Sequence, residues 1–162
     1  VYGGRISIPS DDSNGELNYF IARSFYEEER MKYKNPPVNR NVIVFDNQIN
    51  WKEPIVLVEG AFDAFSVKRN AIPLLGKFLP TKLKDKIFEM GVKEISILLD
   101  SDAIDDSTKH TEFFQKNGIK VKNIIPKGKD AGEMGFDEVS ELIKQTEETG
   151  WDDLILSKLN NL

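Results

Sequence analysis

The chain has no cysteine and a single histidine, His110. Disulfides and thiolate zinc sites are thereby excluded, which fits a reducing compartment, and a cytoplasmic location is the expectation. It also lacks any apolar run approaching the ~20 residues that a membrane span requires. Nothing at its start resembles a signal peptide, so no membrane partner is expected. Nor is there an excess of positive charge. Against 27 acidic residues stand 22 basic ones, a net charge of −5, whereas a dedicated duplex-DNA binder is normally basic overall. Repeats and low-complexity segments are missing too. The chain opens at Val1 rather than at a methionine and runs straight into strand-like sequence, which predicts a piece cut from a longer protein.

What is present is ordinary for a globular protein. The 162 residues, 40% hydrophobic and 30% charged, suffice for one domain with a proper core, with or without a small appendage. Charge is unevenly spread. Residues 130–162 hold nine acids and two bases, residues 51–129 fourteen bases and eleven acids, and residues 1–50 six bases and seven acids. Contacts to nucleotides or phosphates therefore remain open locally, while the acidic tail is expected to repel nucleic acid and to pack away from it or against a partner domain.

The segment "GGRISIP" predicts a short strand, and after the turn-rich "SDDSNGE" the segment "LNYFIARSF" predicts its antiparallel partner. A polar connection, "YEEERMKYKNPPVNRN", leads to "VIVF" (Val42 to Phe45), expected as a further strand. From Pro54 the rhythm changes. Strands "IVLVE", "AIPLL", "ISILLD" and "IKVKNIIP" alternate with helices over "AFDAFSVKRN", "LPTKLKDKIFEMG" and "STKHTEFFQKNG", with Gly91 and Gly118 where helix C-caps belong. Continuous apolar strands alternating with helices predict a parallel sheet covered on both faces. Two acidic amphipathic helices, "FDEVSELIKQTEETG" and "WDDLILSKLNN", are expected to end the chain.

Two of these strands deliver acids at their C-terminal ends. Glu59 ends the first, in "PIVLVEGAFDAF", with Asp63 one helical turn beyond; Asp100 ends the third, with Asp102 two residues on. Asp130 and Glu133 follow the fourth strand in the turn-rich "PKGKDAGEMG". In an open parallel α/β sheet, ligands bind outside the carboxyl ends of the strands, so these acids are expected along one edge. An isolated Asp-x-Asp is usually solvated surface and an isolated Glu-Gly usually a turn; it is their pairing on parallel strands that argues for a site. Crowded carboxylates stay ionised only around positive charge. Hard oxygen ligands without histidine or cysteine select Mg²⁺, Mn²⁺ or Ca²⁺, which suits metal-assisted phosphoryl transfer.

The run Glu59-Gly60-Ala61-Phe62-Asp63 with Asp100-Ser101-Asp102 resembles the Toprim signature shared by primases, topoisomerases and some nucleases and recombination proteins. Upstream, "GGRISIPSDDSNGELNYFIARS" followed by "KYKNPP" is similar to the segment preceding Toprim in bacterial and phage DnaG-type DNA primases, and "AIPLLGKFLP" to that family's strand and Gly turn; the resemblance spans roughly residues 3–135. It implies an α/β fold: a Toprim domain with a central parallel sheet flanked by helices, a small N-terminal β-rich segment and a C-terminal helical tail. The implied divisions are 1–50, 51–135 and 136–162. The implied activity is that of a DNA primase catalytic core, a nucleotidyltransferase making short RNA primers on DNA templates. Glu59, Asp100 and Asp102 would be the catalytic acids and, with Asp63 in support and Asp130 at a second ion, would bind Mg²⁺ or Mn²⁺. Arg5, Arg23, Lys32 and Asn35 would face nucleotide or template. Single-stranded DNA and ribonucleoside triphosphates are the implied partners, and a replicative helicase is admitted.

The chain departs from the family in several places. Ser101 stands where Asp-Gly-Asp is usual, Ala103-Ile104 where an Ala-Gly pair follows, and Asp130-Ala131-Gly132 where Asp-Pro-Asp is common; "FDNQINW" replaces a basic Lys-Gly segment. Such divergence suits a phage or mobile-element primase. Alternative functions are a Toprim nuclease and a non-catalytic nucleotide- or partner-binding module; a topoisomerase would need a tyrosine nucleophile, and no tyrosine here has a suggestive setting. Of the smaller signals, His110 is expected at the surface, and the Lys-rich "GKFLPTKLKDK" around Phe78 is either a solvated helix face or a template-facing patch. Phe113, Phe114, Trp151 and the tail aromatics are expected in the core.

Overall fold

Arg5–Asp11 (β1) and Leu17–Ser24 (β2) pair antiparallel, from Arg5 opposite Ser24 to Asp11 opposite Leu17. The Asp12 carboxylate closes the turn by accepting from the backbone N–H of Asn14 and Glu16, the Asx geometry that lets this side chain stand in for backbone. Alternation along β2 buries Tyr19 and Ile21 and points Arg23 along the same face. The computed structural model describes residues 2–68, 70–126, 131–150, 152, 153 and 156. Most of the second expected tail helix, with Trp151, lies outside them.

The stretch Val42–Phe45 is not the strand its β-branched residues predicted. It is a buried turn running into a single 3₁₀ turn, Asp46–Gln48, with Phe45 at φ 62°. Its backbone is satisfied by hairpin side chains instead of a ladder: Phe45 N–H donates to Ser10 Oγ at 2.9 Å, and Asn18 Nδ2 donates to the Ile43 carbonyl at 2.9 Å. Val44 and Phe45 then pack with Tyr19, Ile21 and Ala61. Short apolar runs look alike in sequence whether they pair or merely fill a gap.

Beyond it the chain alternates: Ile55–Val58 (β3), Ala61–Val67 (α1), Ala71–Pro73 (β4), Thr81–Glu89 (α2), Glu94–Leu98 (β5), Ile104–Lys116 (α3), Lys120–Ile124 (β6) and Ala131–Gln145 (α4). The four strands form a parallel sheet in the order β4-β3-β5-β6, as the apolar strands predicted. One face carries Ile55, Leu57, Ile95 and Ile97 against Leu83 and Ile87 of α2 and Phe114 of α3. The other carries Val56, Val58 and Leu98 against Ala64 and Val67 of α1 and Val139 of α4. Fully burying each of the valine, leucine, isoleucine and phenylalanine side chains among these stabilises the fold by roughly 1.5–3 kcal/mol. Gly91 and Gly118 close α2 and α3 at φ 66° and 80°, the left-handed caps expected of them. Asn70 ties the start of β4 to the loop before β3, donating to the carbonyls of Asn50, Glu53 and Pro54 and accepting from Asn50 N–H.

α4 starts at Ala131, inside the segment expected to be turn-rich, and is interrupted at Gly135 (φ 72°, ψ 178°). Among the described residues no helix is long and apolar enough to cross a membrane. The strand order itself makes room for a ligand. From β3 the chain moves to one side of the sheet, and from β5 to the other, with α1 and α3 on opposite faces. A crevice opens at such a switch point, between the ends of β3 and β5.

Candidate metal centre and nucleotide cavity

Glu59 is the first residue beyond β3 and Asp100 the second beyond β5, and their strands are hydrogen-bonded neighbours with Val58 opposite Leu98. The chain leaves β3 through Gly60, whose extended backbone (φ −120°, ψ 164°) begins α1. A Cβ there would approach Asp63 Oδ2 to 3.0 Å, so a larger residue would press on the carboxylate that caps the helix. After Asp100 a 3₁₀ turn, Ser101–Ala103, carries Asp102 back over the strand ends and leads into α3. Ser101 is not among the described non-glycine residues with positive φ, which are Phe45, Lys68 and Leu75. Serine at this position therefore does not force the backbone into the left-handed region.

Carboxylate oxygens of Glu59, Asp100 and Asp102 lie within 4.8 Å of one another. Glu59 Oε2 is buried and has no hydrogen-bond partner. Its own burial, first, and the charges of Asp100, Asp102 and Asp63 raise the Glu59 pKa above the ordinary 4.5; the Lys77 ammonium opposes them. The three residues could hold a metal ion. A hard dication such as Mg²⁺ or Mn²⁺ fits the donor set, which is all oxygen and includes one buried oxygen left without a partner.

Asp63 belongs to the same neighbourhood but is occupied locally: its Oδ2 accepts from Gly60 N–H at 2.8 Å, capping the first turn of α1. Asp130 lies outside the described residues. Glu133, in the first turn of α4, joins the wall of a cavity of about 970 Å³ that also reaches Glu59, Asp63 and Asp100. So does Phe136, 38% exposed, so the start of the tail helix borders the cavity and this tail aromatic is not core. Phe114 is buried as expected, and Phe113 partly so.

Three of the four upstream residues line that cavity as well: Arg23, Lys32 and Asn35. The segment around Tyr33 hangs on the edge of β2 by Ser24 N–H to the Lys32 carbonyl (2.7 Å) and Lys34 N–H to the Ala22 carbonyl (2.8 Å). The Asn35 side chain accepts from Ala22 N–H. The Arg23 guanidinium sits 4.3 Å over the Phe62 ring and 5.6 Å from that of Tyr33, in cation–π range of both. Arg5 is elsewhere. Its side chain is 7% exposed, donates to the Lys32 carbonyl at 3.0 Å and pairs loosely with Glu29, so it supports the Lys32 segment from behind.

Sequence reading missed Lys77, although it stands in the Lys-rich stretch singled out around Phe78. Its Nζ donates to Asp102 Oδ2 at 2.8 Å and to the Asp102 carbonyl at 3.3 Å. That hydrogen bond raises the Lys77 pKa and holds Asp102 below the ordinary 3.8. Its backbone is fixed from two sides: Gly76 N–H donates to the Glu59 carbonyl at 3.2 Å, and His110 Nε2–H donates to the Lys77 carbonyl at 2.7 Å. His110 is thus half-buried and not the surface residue expected; burial lowers its pKa below 6.5. A turn glycine directly followed by lysine beside an acid-bearing strand was the available signal. The rest of the stretch divides: Phe78 is 84% exposed, and Lys84 lies over the Phe113 ring.

No protein-family model matches the chain. A DNA primase of Listeria innocua is 28% identical over 165 residues, which covers 89% of this chain and 26% of that primase. The chain thus spans about a quarter of this relative's length. Among solved structures, the zinc-binding and RNA polymerase domains of the Aquifex aeolicus primase superpose with a TM-score of 0.73 at 23% identity, over 91% of this chain and 41% of that one. A DnaG primase catalytic domain bound to single-stranded DNA gives 0.75 at 17% identity, over 98% and 56%. The E. coli primase catalytic core gives 0.72 at 18%, over 98% and 56%.

Proposed function

We propose, on the premise of a DnaG-type primase fold with its Toprim sheet, that this chain is the catalytic part of a primase that joins ribonucleotides on a single-stranded DNA template. One observation carries the reading: a single cavity runs from the carboxylates at the β3–β5 switch point to Arg23, Lys32 and Asn35. Such a cavity pairs a metal centre with donors for phosphate and sugar. In this reading residues 1–50 are the β-rich part of the catalytic core, 51–135 the Toprim domain and 136–162 the tail.

Glu59, Asp100 and Asp102 would hold Mg²⁺ or Mn²⁺, with Asp63 fixing the turn that presents Glu59 and Asp130 serving a second ion. Bound there, the ion supplies charge neutralisation for the phosphates and the leaving pyrophosphate. Arg23, held against Phe62 and Tyr33, gives forked contacts to triphosphate oxygens, and Lys32 a mobile charge beside it. Asn35 orients the strand edge between them, and Arg5 fixes the backbone of Lys32. The primer 3′-hydroxyl forms the new bond to the α-phosphorus, pyrophosphate departs with the bridging oxygen, and the hydroxyl proton is given up to solvent. No side-chain nucleophile is needed.

The test is one gel. The protein and its Asp100→Asn variant are mixed with end-labelled single-stranded DNA, differently labelled ribonucleotides and Mg²⁺ or Mn²⁺. Short ribonucleotide products made by the parent alone support a primase. Shortened template without such products, lost in the variant, would overturn the reading in favour of a nuclease, for which Arg23→Ala and Lys32→Ala should matter little.

A further inference from the structure

Lys77 places a cation in direct contact with the acid cluster, and its placement is built rather than incidental. The turn carrying it is bonded to the backbone of Glu59 through Gly76 and to His110 through its own carbonyl. The backbone is therefore fixed, while the ammonium reaches Asp102 on a four-carbon stem, with the side chain 32% exposed and Asp102 74% exposed. An ammonium at 2.8 Å from Asp102 Oδ2 and a dication on the same carboxylate repel each other strongly at contact distance. Both also sit within the field of Glu59 and Asp100.

We propose that Lys77 is a built-in competitor for Asp102: its ammonium must give way when a divalent cation takes this carboxylate, so it sets the metal affinity of the centre. This rests on the reading of Glu59, Asp100 and Asp102 as a metal centre. The ammonium weakens capture of the bare cation. A cation arriving with an anionic phosphate chain offers the displaced lysine a new partner, because Lys carries a compact point charge on a flexible stem. The ion pair would thus favour metal that comes with substrate over metal alone.

One unit charge about 5 Å from an exposed dication, screened at physiological salt, changes its binding roughly five- to tenfold. Mn²⁺ alone is titrated into the parent chain, Lys77→Met, Lys77→Arg and Asp102→Asn, with bound and free ion separated by electron paramagnetic resonance and folding checked by circular dichroism. Lys77→Met is expected to bind Mn²⁺ roughly five- to tenfold more tightly, Lys77→Arg about as the parent does, and Asp102→Asn more weakly. Unchanged or weaker binding by Lys77→Met overturns the inference while Asp102→Asn still shows the centre to be real. Equal tightening by Lys77→Arg overturns it too, since the charge would not be the cause. Undiminished binding by Asp102→Asn would instead sink the metal centre itself.

Discussion

Replacing Glu59 by Gln should make the metal-free protein more stable and the metal-loaded comparison less so. Oxygens of Asp100 and Asp102 lie within 4.8 Å of a Glu59 oxygen. A like-charge pair at that distance costs about 1 kcal/mol in water-like surroundings and about 3.5 kcal/mol at an effective dielectric of 20. Two such pairs, partly offset by Lys77, leave a net repulsion of about 2 kcal/mol. The substitution also removes the burial penalty on a charged oxygen that has no partner and supplies an amide that can donate to the neighbouring carboxylates. For a chain of this length, about 2 kcal/mol corresponds to roughly 4–8 °C in Tm. Thermal melts followed by circular dichroism in EDTA should therefore show Glu59→Gln melting above the parent. With Mg²⁺ in excess the order should close or reverse, since a ligand at a hundred times its Kd adds about 2.7 kcal/mol to the parent alone. A variant that melts below the parent in EDTA would refute the electrostatic account and make Glu59 a structural residue.

The raised Glu59 pKa also predicts how metal stabilisation varies with pH. Between the ordinary 4.5 and the raised native value the native state binds more protons than the unfolded chain, so this group's contribution to metal-free stability falls as pH rises through that window. Metal must displace that proton, so the Tm gain on adding Mg²⁺ should grow over the same interval; a gain independent of pH would contradict it. For His110 the sign is opposite in origin. Its lowered pKa means that the unfolded chain takes up the proton first, so stability is present above about 6.5 and is lost as pH falls through the native value. Urea midpoints at pH 5.5 and 7.5 should differ by less in His110→Gln than in the parent. Asn70→Ala removes a clamp of four hydrogen bonds and should cost about 1–3 kcal/mol by urea titration, while Mn²⁺ binding is retained in the folded fraction.

The parallel sheet and its helices were legible because fully buried strands must be continuously apolar and must alternate with helices. The acid cluster was legible because strand ends are where such sheets bind ligands. Val42–Phe45 was misread for a definite reason: its hydrogen-bond partners are side chains, Ser10 and Asn18, lying more than twenty residues away. Arg5, read as facing the ligand, is engaged with the Lys32 carbonyl instead, and nothing in its local sequence separates a basic residue that lines a cavity from one that braces it. Lys77 left only the turn glycine before it as a local signal, since its partner Asp102 is brought to it by strand order. Phe62 shows the converse. In the sequence it is a spacer within an acidic motif, yet its service to Arg23 needs the hairpin and the sheet to meet.

The spacing of the two strand-borne acids is set by how their strands are joined. Val58 and Leu98 are partners across the β3–β5 ladder, and neighbouring strands stand about 4.8 Å apart whatever side chains they bear. The bite of the site is therefore metered by a backbone lattice, as the teeth of a comb are spaced by its spine. Packing defects elsewhere in the core should change how many molecules are folded without changing the gap in those that are. Partial loosening is not on offer, because a slip of one residue would carry Glu59 about 3.3 Å along the strand and turn it to the opposite face. A population of such molecules would be a mixture of competent and incompetent ones, with nothing graded between.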